Sequence, residues 1–153
     1  MPPAGYFIDA NLLVLLIVGS VDTRLIAKHR RLRGYSATDY DTLIRLLAPV
    51  EQIFVTPNTL TETSNLLAQH AEPERSRFFD RFRFIIQHSK EVVVASDIAS
   101  QNNVFARLGL TDAALLESAS VETPVVTVDL GLYLAALNKG MDAAVNFTHL
   151  RDL

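Results

Sequence analysis

A chain of 153 residues, 49% hydrophobic and 20% charged, has enough apolar material for one sizeable core and is too hydrophobic for a disordered segment. Its formal charge of −3 does not mark it as a nucleic-acid binder, although two divalent ions held by carboxylates would bring it to about +1. The absence of cysteine excludes disulfides, thiolate zinc and a cysteine nucleophile, and suits the reducing cytoplasm in which we expect the protein to work.

Residues 6–8 read as a short buried strand that ends in Asp9. The apolar run over residues 12–18 is far too short to span a membrane. Its Leu-rich composition predicts a buried helix over residues 10–18, ended by Gly19 and Ser20. No basic stretch precedes it, so no secretory signal is expected. Residues 22–33 form a second helical segment closed by Gly34, and a third helix runs from Thr38 to about Ala48, ahead of Pro49. Residues 53–55 make a strand, which Pro57 separates from a helix starting near Thr59. After Pro73, the residues Phe78, Phe79, Phe82, Ile85 and Ile86 recur at helical spacing. Residues 92–95 read as the clearest strand, with Ser96 capping a helix over 97–108. Gly109 breaks that helix, and Thr111 caps the next, which runs to about Val121. A strand over 124–128, a helix over 132–137 ended by Gly140, and a last strand over 144–147 complete the chain. Strands separated by helices predict an α/β fold of one domain over residues 1–153, a parallel sheet with helices on both faces.

Four acids, Asp9, Glu62, Asp112 and Asp129, stand where an apolar segment gives way to the start of a helix. Right-handed crossovers put the carboxyl ends of parallel strands on one edge, and ligands bind there. Asp9, Glu62 and Asp129 follow strands and so belong to that edge; Asp112 follows a helix, and topology permits its arrival without forcing it. Carboxylates drawn together repel, and a divalent cation is the usual remedy. Each acid also has a plainer reading. Thr59 and Glu62 have the spacing of a capping box, Asp112 can complement a helix dipole, and Asp9 and Asp129 can serve as N-caps. Capping and metal binding do not exclude one another.

Five stretches resemble the PIN domain nucleases, a family that includes the VapC-type toxins. They are Phe7-Ile8-Asp9-Ala10-Asn11-Leu12-Leu13, then Thr61-Glu62 with Asn65 a turn later, then Leu110-Thr111-Asp112-Ala113-Ala114-Leu115-Leu116. Val126-Thr127-Val128-Asp129-Leu130-Gly131-Leu132 follows, and residues 140–147 resemble the family's closing glycine, strand and Asn-Phe. The resemblance implies a three-layer α/β/α sandwich with a central parallel sheet of order 3-2-1-4-5. It implies Mg²⁺- or Mn²⁺-dependent cleavage of phosphodiester bonds, most often in RNA. By position, Asp9, Glu62, Asp112 and Asp129 would be the metal ligands, with Asn11 and Thr127 orienting ligands, water or phosphate. An antitoxin protein and a homodimer or higher homo-oligomer are the partners it brings, with no membrane. The 52 residues between Asp9 and Glu62 exceed what compact toxins of this type have, and the excess carries a basic run.

That run supplies Lys28, Arg30, Arg31 and Arg33, the best candidates for gripping an RNA backbone, with a solvated helix face as the alternative. Arg75, Arg77, Arg81 and Arg83 pose the same choice; the Phe residues among them suit base stacking, core packing or a dimer interface. His29, His70, His88 and His149 share no spacing with one another or with the acids, so surface or supporting roles are expected. Serine-hydrolase, phosphate-loop and dinucleotide motifs are absent. A haloacid-dehalogenase-like phosphohydrolase would need an Asp where Asn11 stands. A signalling receiver would have to use Asp97 and Lys139, which are poorly placed for it. A non-catalytic RNA- or partner-binding module on the same fold is the alternative from another class.

Overall fold

The computed structural model describes residues 2–151. Five strands, β1 (Gly5–Ile8), β2 (Gln52–Val55), β3 (Lys90–Glu91), β4 (Val125–Thr127) and β5 (Ala144–Asn146), form one sheet of order β3-β2-β1-β4-β5. Every pairing is parallel, and helices cover both faces, giving a three-layer α/β/α sandwich. β1 lies at the centre and is buried along its whole length. Its side chains alternate as a pleat requires: Tyr6 and Ile8 enter one core, Phe7 the other, where Val125 and Phe54 meet it.

The first core is built around α1 (Ala10–Val21), whose residues from Leu12 to Gly19 are all buried. A helix enclosed on all sides has no polar face to preserve, which explains its unbroken apolar run. The helix runs past the predicted stop. Gly19 continues it, because the missing Cβ lets the Tyr40 ring of α2 (Ala37–Leu47) close against it. The helices α3 (Pro57–Leu67) and α4 (Glu74–His88) pack on the same side through Leu66, Leu67, Phe78 and Phe82. The opposite face carries α6 (Phe105–Leu108), α7 (Leu110–Ser118) and α8 (Leu130–Leu137). No helix of the described residues is long and apolar enough to cross a membrane.

Several elements differ from the sequence-based expectation for identifiable reasons. Residues 22–33 fold as two 3₁₀ segments, Thr23–Lys28 and Arg30–Leu32. The Asp22 carboxylate and the His29 ring accept hydrogen bonds from the backbone N–H groups of Arg24 and Arg31, and these local bonds compete with a continuous helix. Residues 92–95 are not a strand. β3 ends at Glu91, the Val92 N–H still donates to the Val55 carbonyl at 2.8 Å, and β2 offers no partner beyond that point. The expected helix over 97–108 is split into α5 (Ser96–Ala99) and α6, because Asn102 turns the chain by accepting from the Val104 N–H. A helix that the sequence did not signal, α9 (Phe147–Arg151), follows β5. Phe147 anchors it in the core, and an ion pair from Arg151 to Asp39 (3.0 Å) ties it to α2.

Candidate metal centre

β1 and β4 lie side by side with Ile8 opposite Val126, so the residues that follow them emerge together at the carboxyl edge of the sheet. Thr127 links the two. Its hydroxyl donates to Asp9 Oδ2 at 2.7 Å and accepts from the Asp129 N–H at 2.9 Å. Asp9 Oδ1 accepts from the Ala10 N–H at 2.9 Å, and Asp129 Oδ1 accepts from the Leu132 N–H at 3.0 Å. Both acids are therefore N-caps of α1 and α8, and their capping coexists with their place at the edge.

Glu62 has lost its plainer reading. The N-cap of α3 is Thr56, whose hydroxyl accepts from the Thr59 N–H, so Glu62 stands beyond the first turn and belongs to no capping box. Its side chain is exposed, yet partial desolvation and the Asp9 charge raise its carboxyl, while Thr111 and Arg31 lower it. α7 begins at Leu110 after Gly109, so Thr111 lies inside the first turn beside Glu62 instead of capping the helix. Asp112 does reach the edge. Burial, and then the charges of Asp9, Asp129 and Glu62, push its carboxyl from the ordinary 3.8 up to about 7. Burial also raises Asp9, against the hydrogen bonds from Thr127 and Ala10, with the Asp129 charge adding to the rise. Asp112 thus lies within electrostatic reach of the other three acids, and Asp9 within reach of Glu62 and Asp129. Asn11 sits half-buried in the first turn of α1, two residues past Asp9.

One residue beside the acids escaped the sequence reading. Tyr35 lies close enough to Asp9 to feel its charge, with burial as the main cause of its raised hydroxyl, and the Arg151 guanidinium covers its ring at 4.7 Å. Nothing in sequence relates Tyr35 to Asp9. The turn at Gly34, with φ +89°, and the new helix α9 place it there.

The basic run is exposed at Lys28, Arg30, Arg31 and Arg33, and Arg31 is the member whose charge reaches Glu62. His29 between them is not at the surface: it is 1% exposed, stacked on His70 with ring centroids 5.2 Å apart, and tilted on Phe78. Its Nδ1 accepts from the Arg31 N–H at 3.1 Å, which anchors the turn that carries Arg31. Burial, and then the His70 and Arg31 charges, push its pKa from 6.5 down to about 4. A histidine held neutral in the fold contributes stability above pH 6.5 that is lost as pH falls toward 4. We expect a loss on the order of 2–3 kcal/mol across that window, read from urea midpoints, and absent from His29→Gln. In the second basic cluster Phe78 and Phe82 face the core, and Arg75 and Arg81 lie over Phe79 and Phe84 of their own helix. Core packing accounts for Phe78 and Phe82 alone; Arg77, Arg81, Arg83 and Phe84 are exposed.

Among the described residues, no three acidic or histidine side chains converge tightly enough to hold an ion as they stand. Asp9 is held by Thr127 and the Ala10 N–H, and Asp129 by the Leu132 N–H. The donor set nonetheless fits a hard divalent cation. It offers carboxylates and hydroxyls with no thiol, which favours Mg²⁺ or Mn²⁺ over zinc, and Asp112 carries the repulsion that such a charge would relieve. Comparison with known proteins adds no name to this geometry: no protein-family model matches the chain, and no curated protein matches it.

Proposed function

We propose that the chain is a PIN-type, Mg²⁺- or Mn²⁺-dependent ribonuclease that hydrolyses RNA phosphodiester bonds at the carboxyl edge of its sheet. The observation that carries this reading is the pairing of Asp9 and Asp129, which follow neighbouring strands and are joined through the Thr127 hydroxyl; Asp112, raised by burial and then by Asp9, Asp129 and Glu62, faces the same edge. Asp9 and Asp129 would be the central ligands, with Glu62 and Asp112 completing the set. A bound ion of this kind activates water near neutral pH and offsets charge on the phosphate under attack.

The chain's own residues support that chemistry in separate ways. Thr127 holds the Asp9 carboxylate in one orientation and spaces it from Asp129. The N-termini of α1 and α8 open on the same edge, where their dipoles favour a phosphate. Arg31, beside Glu62, supplies a cation for a neighbouring phosphate of the strand. Asn11 would orient ligand or water from the first turn of α1. The toxin role, an antitoxin partner and a homo-oligomer join this proposal through the family resemblance alone.

The test is cleavage of a panel of single-stranded and structured RNAs with Mg²⁺, with Mn²⁺ and with chelator. Cleavage that needs the metal supports the reading. A protein that neither cleaves nor gains thermal stability from either metal would overturn it.

A further inference from the structure

We propose that the groove on α3 beside Glu62 is a base-reading subsite for single-stranded RNA, an inference that rests on the nuclease reading above. The groove has a volume of about 370 Å³ and is lined by Pro57, Asn58, Thr61, Glu62, Asn65 and Thr111. It is therefore continuous with the acidic centre through Glu62 and Thr111. No cation lines it, so it is not built to receive phosphate.

Besides Glu62 and Thr111, which face each other, its polar groups are neutral and uncommitted. Asn58, Thr61 and Asn65 are spaced three and four apart, which puts them on one face of the helix. The buried threonines of this segment have partners: Thr56 bonds to Thr59, and Thr63 to the Thr59 carbonyl. Two other asparagines close turns, Asn102 by accepting from the Val104 N–H and Asn146 by accepting from the Thr148 N–H. Among the described residues no side-chain hydrogen bond engages Asn58, Thr61 or Asn65. Asn and Thr are poor helix formers whose usual compensation is a local hydrogen bond. Asn65 and Thr61 sit in a helix without it, facing a groove.

A carboxamide holds a donor and an acceptor side by side, the pattern that pairs with the edge of a base. Base edges are open to side chains when the strand is unpaired, which makes single-stranded RNA the matching substrate class. The labour divides accordingly. Arg31, which does not line the groove, takes phosphate; the α3 amides select the base beside the bond to be cut.

The experiment maps cleavage sites in a randomised single-stranded RNA for wild type, Asn58→Ala, Asn65→Ala, the double variant and Arg31→Ala. Asn65 is exposed, Asn58 is half-buried without a side-chain hydrogen bond, and Ala is a better helix former, so the variants should fold. For wild type we expect roughly tenfold preference for one base at a position near the cut. The double Asn variant should flatten that preference to within about twofold, whereas Arg31→Ala should keep it and lower the salt dependence by about one phosphate contact. An unchanged preference in the double variant overturns the subsite. Binding of the same pool in Ca²⁺, a hard-oxygen ion used without asking for turnover, separates this failure from that of the nuclease reading. Selective binding lost in the double variant, without cleavage by any protein, keeps the subsite and sinks the nuclease. No selectivity by wild type in either assay overturns the subsite.

Discussion

Asp9→Asn protein is expected to cleave RNA at least about a hundredfold more slowly than wild type, with the fold intact. Asparagine preserves two of the three structural duties of this position, and at the third its Nδ2 would donate to the Thr127 hydroxyl, reversing the bond that Asp9 Oδ2 accepts. Its carbonyl oxygen can still accept from the Ala10 N–H as the cap of α1, and its backbone N–H still donates to the Val126 carbonyl. What it removes is the negative charge between β1 and β4. The loss should therefore appear in kcat/KM at every metal concentration that leaves the melting temperature unchanged. Asp129→Asn should behave alike, since its cap to the Leu132 N–H survives in the same way. Wild-type rates in folded Asp9→Asn protein would remove Asp9 from the reaction.

The second large effect concerns stability and has the opposite sign. Asp112→Asn should make the metal-free protein more stable while impairing cleavage. A carboxyl raised from 3.8 to about 7 binds its proton more tightly in the folded state, so its contribution is favourable at low pH and fades as pH rises through that interval. At pH 8 the charged group costs on the order of 2 kcal/mol once its partial exposure is allowed for. Removing it should raise the melting temperature by about 4–8 °C in chelator. At pH 4 the two proteins should melt together. Addition of Mn²⁺ should raise wild type more than the variant, because the ion relieves in wild type what the substitution has already relieved. Scanning calorimetry at pH 4 and pH 8, with and without Mn²⁺, reads all four conditions. An Asn variant no more stable than wild type at pH 8 would mean that neither burial nor the neighbouring acids disfavour the Asp112 charge.

The sheet was legible where burial is two-sided. β1, β2 and β4 are short apolar runs bounded by Pro, Gly or an acid, and the parallel order placed three of the acids at one edge before any coordinates. The edge of the sheet was less so. Val92, Val93 and Val94 look like a strand by composition, but Val93 is 74% exposed and β2 has already ended. The start of α3 was placed too late because Thr56 and Thr59 are equally good caps, although Pro57 marks the first helical position and so points to Thr56. His29 and Tyr35 were beyond reach for another reason. Their surroundings are made by His70, Phe78 and Arg151, partners that only the tertiary fold brings near.

The hydroxyl bridge from Thr127 to Asp9 spans 118 positions of the chain. β1, though made first, sits between β2 and β4 and cannot complete its pairing until β4 exists. On the ribosome the central pair of acids is therefore assembled late. While the first hundred residues emerge, Asp9 has no neighbour from β4, and the growing polypeptide carries no finished site beside the messenger being translated. For the ribonuclease proposed above, this order of synthesis would leave the site incomplete for most of translation.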